Sequence, residues 1–129
     1  NKTILNLLLK SYKKNELLKI SPGNQYLDYV HVNELYELIK MICNDILKKK
    51  LTGFETFTVS SKKPIKLKSL IRKLNFELKY QLKVKIGAKK YRKNEAMEAI
   101  KKIRNYPGWK SKLNLIKELK KIFDEKKRK

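Results

Sequence analysis

The loop at residues 91–95 holds the most suggestive spacing of chemical groups in this 129-residue chain. Arg92 stands three residues before Glu95, and an arginine with a carboxylate at that distance could hold a diphosphate and a ribose hydroxyl together. The same two side chains could instead form a surface salt bridge, which contributes little to stability. From the residue types alone, the surface salt bridge is the better supported interpretation.

Two other arrangements of reactive residues are better explained by structure. Tyr36 and Lys40 have the Tyr-x-x-x-Lys spacing that many short-chain dehydrogenases use as a catalytic pair. Residues four apart do share a helix face, but Tyr36 lies on the apolar stripe of its predicted helix, so we expect a core residue. Glu34 and Glu37 stand in the first turn of that helix, where the dipole favours carboxylates.

The remaining searches for chemistry find no site. One cysteine, Cys43, excludes an internal disulfide, and together with one histidine, His31, it cannot build a zinc site. We expect Cys43 to be a small buried hydrophobe among isoleucines and His31 to be a structural residue inside a strand. No glycine-rich phosphate loop or dinucleotide-type glycine triplet occurs. We therefore predict no catalytic residue, no metal ligand and no cofactor-binding residue in this chain.

Hydrophobic periodicity predicts the elements that must position these residues. Helices are predicted over 3–14, 34–50, 67–78 and 97–104, with a last helix capped by Asn114, and strands over 17–21, 26–32, 54–59 and 82–86. The clearest helix, 34–50, has Asn33 as its expected N-cap and Lys48–Lys50 in its last turn. Its expected inner face is Leu35, Ile39, Ile42 and Ile46, flanked by Val32, Tyr36 and Cys43.

This order of elements predicts a mixed α/β fold of helices with a few short strands. The strands are too few for an independent doubly wound sheet, and we expect some apolar faces to need a partner domain. There is no internal repeat and no linker, so 1–129 is predicted to be one domain. The chain begins with Asn1 and not with Met, which suggests a piece of a longer protein.

The net charge of +22 suggests an anionic partner such as nucleic acid. However, 30 of the 34 basic residues are lysines, whereas proteins that clamp phosphates or bases favour the bidentate fork of arginine. A solvated lysine surface in a protein from an AT-rich genome explains the charge as well. No apolar run approaches the roughly 18 residues of a membrane span, and we expect a cytoplasmic protein without membrane contact.

Four segments, in order, resemble the NAD-dependent epimerase/dehydratase family, the extended short-chain dehydrogenases. Residues 21–35, SPGNQYLDYVHVNEL, are similar to G-x-Q-x-R-D-[FY]-[IV]-[YH]-V-x-D-[LV], and residues 57–67, FTVSSKKPIKL, to N-V-G-S-G-K-P-I-S-L. Residues 87–97, GAKKYRKNEAM, resemble G-A-x-x-Y-R-x-N-E-x-M of the 4-keto-6-deoxyhexose reductases. Gly108-Trp109-Lys110 and the segment 113–119 resemble the closing G-W-x-P-x-x-S-L-x-x-G-L helix.

The resemblance implies the C-terminal, nucleotide-sugar-binding part of such an enzyme, with the N-terminal Rossmann half missing. By carry-over, Leu18–Ile20 would lie against the base, Arg92 would hold the diphosphate, Glu95 would lie near the ribose, and Tyr29 would be close to the phosphates. The intact enzyme would use NAD or NADP on an NDP-4-keto-6-deoxyhexose in surface polysaccharide synthesis. This chain alone would bind no cofactor and catalyse nothing.

Several positions depart from the family pattern. Leu27 stands where much of the family has a phosphate-binding arginine, Asn33 replaces the first acid of the V-D-D run, and Glu118 replaces a glycine. Ser60-Ser61-Lys62 lacks the glycines of its turn. These changes indicate relaxed constraint, as in a truncated copy. The charge leaves open a different class of function, a lysine-rich nucleic-acid-binding module, whose affinity would fall steeply with salt.

Overall fold

The computed structural model describes residues 3–100 and 102–127, with the side chains of 126 and 127 left aside. Four helices and four two-residue strands follow in the order α1 Ile4–Lys14, β1 Leu18–Lys19, β2 Tyr26–Leu27, α2 Val32–Leu47, β3 Ile65–Lys66, α3 Leu67–Glu77, β4 Val84–Lys85 and α4 Leu115–Lys127. Strand β1 pairs with β4 in parallel, and β2 pairs with β3 antiparallel. The predicted mixed α/β class, with helices and a few short strands, is confirmed.

The chain forms two compact units. The helical unit comprises the described residues of 1–27, 65–98 and 114–129, and therefore holds α1, α3, α4 and all four strands. The α2 unit comprises 28–64 and the described residues of 99–113. No helix in the described ranges is both long enough and apolar enough to cross a bilayer.

The helical unit is built as its sequence pattern predicts. The Thr3 hydroxyl accepts a hydrogen bond from the Asn6 amide at the start of α1, and Asn15 ends that helix in the left-handed conformation. The side chain of Asn114 accepts from the Lys117 amide and caps α4. Helix α4 packs against both α1 and α3. Their shared core is formed by leucines and aromatic residues that are at most 7% exposed: Leu8, Tyr12, Leu67, Leu70, Leu74, Leu78, Leu119 and Phe123.

The strands of the helical unit lie where they were predicted but are much shorter. Only Leu18–Lys19 and Val84–Lys85 form the β1–β4 ladder, inside the predicted strands 17–21 and 82–86. Neighbouring backbone bonds extend the contact, from the Leu18 amide to the Lys83 carbonyl and from the Ile20 amide to the Lys85 carbonyl. Helix packing therefore dominates this unit, and the strands only join its connecting segments.

In the α2 unit, two predicted elements are wrong. Residues 54–59 form no strand, and residues 97–100 and 102–104 form no helix. Instead, the Thr58 amide donates to the Arg104 carbonyl, and the Phe57 ring packs edge-on against Tyr106 at 5.0 Å between ring centroids. Tertiary packing of aromatic residues against Leu38, Tyr106 and Trp109 thus overrides the local preference for strand or helix.

The predicted strand 26–32 is also wrong beyond its first two residues. Asp28 turns its carboxylate to the backbone and hydroxyl of Ser61 and to the hydroxyl of Ser60. His31 then caps α2: its Nδ1 accepts from the Asn33 amide, while its own amide donates to the Glu34 carboxylate at the long distance of 3.4 Å. The cap is therefore His31 and not the predicted Asn33. Lys48–Lys50 lie beyond the last turn of α2, which contains no basic residue.

Of the predicted inner face of α2, Ile42 packs against the core of its unit, whereas Leu35, Ile39 and Ile46 are exposed. Leu38 is 2% exposed, whereas Tyr36 is 61% exposed, so the expectation that Tyr36 is a core residue is wrong. Cys43, expected to be buried, is exposed as well. The helix has two apolar sides, and the predicted inner face lies mostly on the exposed one and leaves out Leu38. The exposed side, here called the outer α2 face, consists of Val32, Leu35, Tyr36, Ile39, Cys43 and Ile46.

Candidate functional site

The helical unit contains a cleft of about 340 Å³, lined by the starts of α1 and α3 and by the segments that follow β1 and β4. That volume lies at the lower end of the range of roughly 300–1,000 Å³ typical of small-molecule sites. Its apolar wall includes Ile4, Leu7, Leu27 and Leu67, and its polar wall includes Ser21, Gln25, Lys19, Lys89, Lys90, Arg92 and Glu95. The cleft therefore joins an apolar surface to a charged one.

One wall of the cleft is the segment that leaves β1. The Ile20 amide donates to Lys85, and the Ile20 carbonyl accepts from the Lys89 amide, so both backbone groups are bonded. This pairing buries Ile20 to 6% exposure and leaves Lys19 exposed. The alternation of strand side chains thus presents one apolar and one basic residue side by side.

The turn at Pro22-Gly23 docks against the start of α3, and Leu67 of α3 forms the floor of the cleft. Lys66, the N-cap of α3, gives the helix no side-chain hydrogen bond. The carbonyls of Gly23 and Gln25 accept instead from the amides of Lys68 and Leu67, at 2.9 and 3.1 Å. Gly23 has a φ of +74°, and a Cβ there would lie 3.1 Å from the Lys68 nitrogen. Glycine therefore suits this docking better than any residue with a Cβ.

The loop that carries Arg92 and Glu95 is anchored by Tyr91. The Tyr91 hydroxyl accepts a hydrogen bond from the Asn24 amide at 3.0 Å, which ties this loop to the turn after β1. The Glu95 amide then donates to the Arg92 carbonyl at 3.2 Å and closes a turn. Arg92 is exposed and Glu95 is half-buried. Both side chains line the cleft.

The charged side of the cleft is strongly basic. Among the lining residues are four cationic side chains, Lys19, Lys89, Lys90 and Arg92, and one carboxylate, Glu95. Such a grouping favours an anionic ligand, and exposed ammonium groups attract phosphate as point charges. Sequence reasoning missed the three lysines, because 30 lysines spread over the chain give no signal. Their proximity to Arg92 and Glu95 was the available clue for Lys89 and Lys90.

The predicted substrate-binding residues fall into three groups. Ile20, Arg92 and Glu95 line the same cleft. Leu18 lies in β1, is half-buried, and is not among the lining residues. Tyr29 belongs to the α2 unit, where burial raises the pKa of its phenol to about 12. Its hydroxyl is therefore protonated at neutral pH and can act as a hydrogen-bond donor.

A dinucleotide cofactor does not fit the residues present. The sequence has four glycines and none of them forms the triplet that lets a backbone approach a pyrophosphate. Within the described ranges, each strand has two residues, and no parallel sheet leads into a helix N-terminus. No hydride-transfer step is therefore derived for this chain.

Glu34, in the α2 unit, is a structural carboxylate. One of its oxygens accepts from the amides of Lys112 and Leu113, at 2.6 and 2.9 Å, and the other accepts from the Ser111 hydroxyl. Burial alone would raise the pKa of Glu34, but these bonds and the one from His31 outweigh it and lower the pKa. Glu34 is thus committed to fastening residues 111–113 to the start of α2, and not to proton transfer.

The comparison with solved structures finds a similar fold in a sugar-nucleotide enzyme. The chain superposes on UDP-glucose 4-epimerase from the hyperthermophilic eubacterium Thermotoga maritima, solved with UDP-glucose, with a TM-score of 0.69 and 19% sequence identity. The match covers 95% of this chain and 38% of the epimerase chain. At this identity the likeness shows a shared fold. No protein-family model and no curated protein matches the sequence.

Proposed function

We propose that this chain is the nucleotide-sugar-binding portion of an NAD(P)-dependent sugar epimerase, dehydratase or reductase, and is inactive by itself. The observation that carries the proposal is the basic cleft of the helical unit, in which Ile20, Arg92 and Glu95 come together. Those three residues are separated by up to 75 positions along the chain. A binding site requires such residues to converge on one cleft. A surface salt bridge between Arg92 and Glu95 would not require Ile20 to lie beside them.

The cleft suits a nucleoside diphosphate attached to a sugar. The basic side chains of Arg92, Lys89 and Lys90 would neutralise the diphosphate, and Glu95 would accept a hydrogen bond from a ribose hydroxyl. Ile20 offers the apolar surface on which a base can lie. The similarity in fold to an epimerase solved with UDP-glucose supports this ligand class. We further propose an NDP-4-keto-6-deoxyhexose as the substrate, in cytoplasmic polysaccharide synthesis.

Lysine residues supply part of the positive charge that an arginine at position 27 would provide. Leu27, which stands where much of the resembling family has a phosphate-binding arginine, lines the cleft as an apolar residue. Lys19 and Lys90 line the same cleft and supply positive charge there. Because an ammonium binds phosphate without a bidentate geometry, we expect weaker and more salt-dependent binding than an arginine would give.

A dinucleotide-binding half would complete the protein. The outer α2 face exposes Tyr36, Ile39 and Ile46 to more than half of their full extent. A helix that is apolar on two sides is normally buried between two layers, and the α2 unit covers only the side of Leu38. Because this chain spans 38% of the epimerase it resembles, we propose that a Rossmann half, carrying NAD or NADP, packs on this face.

The ligand class is tested by titrating the chain with UDP and UDP-glucose in a calorimeter at low ionic strength. We expect saturable binding of both, and loss of about tenfold in affinity when Arg92→Gln removes a charge-assisted contact. Arg72→Gln is the matched control, because Arg72 belongs to the same unit and does not line the cleft. Absence of binding by the unaltered chain would contradict the proposal.

The missing catalytic half is tested separately. The purified chain, given NADPH and a 4-keto sugar nucleotide, should show no turnover, and any turnover would overturn the claim of inactivity. The coding DNA upstream of Asn1 should encode a glycine-rich strand–helix start and a Tyr-x-x-x-Lys pair. A stop codon there would argue against a partner half on the same chain and favour a gene remnant.

Nucleic-acid binding is the alternative that the charge of +22 favours. It predicts tight binding of duplex DNA or RNA that persists near physiological salt. A solvated lysine surface predicts only weak binding there. The affinity of either kind of surface falls as salt rises, because each neutralised phosphate releases counterions, so the affinity that remains near physiological salt is the discriminating value. Titration of labelled duplexes at two salt concentrations separates these outcomes.

A further inference from the structure

Gln25 lines the basic cleft although it is almost fully buried. Its side chain lines the basic cleft, yet the residue is 6% exposed. Its Nε2 donates to the Ser21 hydroxyl at the long distance of 3.4 Å, and its Oε1 is buried without a hydrogen-bond partner. A buried carbonyl oxygen with no partner is costly, so it calls for an explanation such as a ligand.

The backbone of Gln25 explains why the amide is held at this place. The Gln25 carbonyl accepts from the Leu67 amide at the start of α3, so the residue cannot move away from the cleft without breaking a helix start. The side chain, in contrast, is tied only by the long bond to Ser21 among the contacts described. A small rotation of the amide is therefore the available route by which Oε1 can reach a donor.

We propose that Gln25 recognises the neutral part of the ligand, by accepting a hydrogen bond from its N–H or O–H group. The lysines and Arg92 that line the same cleft hold the anionic part. The cleft thus selects a compound that joins a phosphate to a neutral hydrogen-bond donor, such as a nucleoside diphosphate, over a bare polyanion. This inference rests on the proposed function and adds the residue that distinguishes a nucleotide from pyrophosphate.

The substitution Gln25→Met separates a ligand contact from a scaffold role. Methionine keeps the length of the side chain and removes the unpartnered oxygen, so the unfolding midpoint of the chain should stay unchanged or rise. The affinity for UDP should fall about tenfold, because a bonded acceptor is lost. The affinity for inorganic pyrophosphate should not change, because pyrophosphate lacks the base and ribose that carry the neutral N–H and O–H groups. Gln81→Met, an exposed glutamine of the same unit, is the control and should change none of the three values.

Calorimetric titration of UDP and pyrophosphate into the three proteins, with thermal unfolding of each, decides the matter. An unchanged UDP affinity in Gln25→Met would overturn the inference and leave the proposed function standing. Equal loss of UDP and pyrophosphate affinity, with a lower midpoint, would make Gln25 a scaffold residue and also overturn it. If the unaltered chain binds pyrophosphate but binds UDP no better, the cleft has no neutral subsite and the inference fails. If it binds neither compound, the proposed function fails together with the inference.

Discussion

The helical unit and the α2 unit are held together by different means. In the helical unit, leucines on α1, α3 and α4 form a core in which Leu8, Leu70 and Leu74 are fully buried. In the described part of the α2 unit, the buried core members are Leu38, Tyr106 and Trp109, and carboxylates fasten the irregular backbone. Apolar packing therefore stabilises the helical unit, whereas hydrogen bonds to Asp28, Glu34 and Asp45 hold much of the α2 unit together.

The largest expected effect breaks the leucine core. Leu74→Ala removes a side chain with no exposed surface and should lower the free energy of unfolding by about 3 kcal/mol, through lost burial and the cavity left behind. Loss of helical circular dichroism in urea measures it. Phe76→Ala, on the same helix but 88% exposed, is the control and should change the unfolding free energy by less than about 0.5 kcal/mol.

The second effect tests the carboxylates of the α2 unit. Glu34→Gln leaves the amides of Lys112 and Leu113 with a weaker acceptor and should destabilise the unit by about 2 kcal/mol. Trp109, the single tryptophan, reports it by fluorescence, since its Nε1 donates to the Glu34 carbonyl. Glu37→Gln, on an exposed neighbour in the same helix, should leave the signal unchanged.

Glu34 also makes the stability of the α2 unit depend on pH. Its pKa in the folded chain lies below the usual value of 4.5, so the ionised carboxylate stabilises the fold above that value. The contribution is lost as the pH falls through the lowered folded-state pKa. Urea unfolding followed by Trp109 fluorescence should therefore lose part of its acid dependence in Glu34→Gln. Equal acid dependence in both proteins would show that another group is responsible.

The third effect concerns the turn that forms the cleft floor. Gly23→Ala should destabilise the helical unit by about 1.5 kcal/mol, because alanine resists a positive φ and its Cβ would press on the Lys68 amide. Gly87→Ala, at a φ of +80° with open space around it, should cost about 1 kcal/mol from the backbone alone. If both substitutions cost the same in thermal unfolding, the close contact with Lys68 contributes nothing.

The smallest effect on the unfolding free energy is expected on the exposed side of α2, in contrast to its buried side. Ile39→Ala should change the unfolding free energy by less than about 0.5 kcal/mol, because Ile39 is 51% exposed. Leu38→Ala, at the adjacent and buried position, should cost about 2 kcal/mol or more. Trp109 fluorescence in urea measures both. A large loss in Ile39→Ala would mean that the outer α2 face is already covered in the isolated chain.

Sequence reasoning succeeds where one local pattern decides the outcome. The helices α1 and α3 begin and end within a residue or two of their predicted bounds, because the apolar stripe of each helix meets a single core. It fails at 54–59, where Phe57 packs against Tyr106 instead of joining a strand, and at 97–100 and 102–104, which form no helix. It also chooses the wrong side of α2 for most of the buried face, because a helix with two apolar stripes leaves that choice to tertiary contacts.

The candidate site shows the same division. Arg92 and Glu95 stand out in the sequence because arginine is rare in this chain, and their turn is local. Gln25 matches the glutamine of the G-x-Q-x-R-D pattern, but its lack of a hydrogen-bond partner is visible only in the structure. Lys19 could not be singled out, because its place in the cleft depends on the β1–β4 pairing. Contacts between segments far apart in the chain carry no signal in the local residue pattern.

The outer α2 face should make self-association of the purified chain depend on salt. Two copies carrying +22 charges each repel one another at low ionic strength, and this repulsion keeps their apolar faces apart. At about 1 M salt the screening length shrinks to roughly 3 Å, and hydrophobic attraction between the faces is then unopposed. Self-association seen by light scattering should therefore increase with salt, the opposite direction from any binding to phosphates.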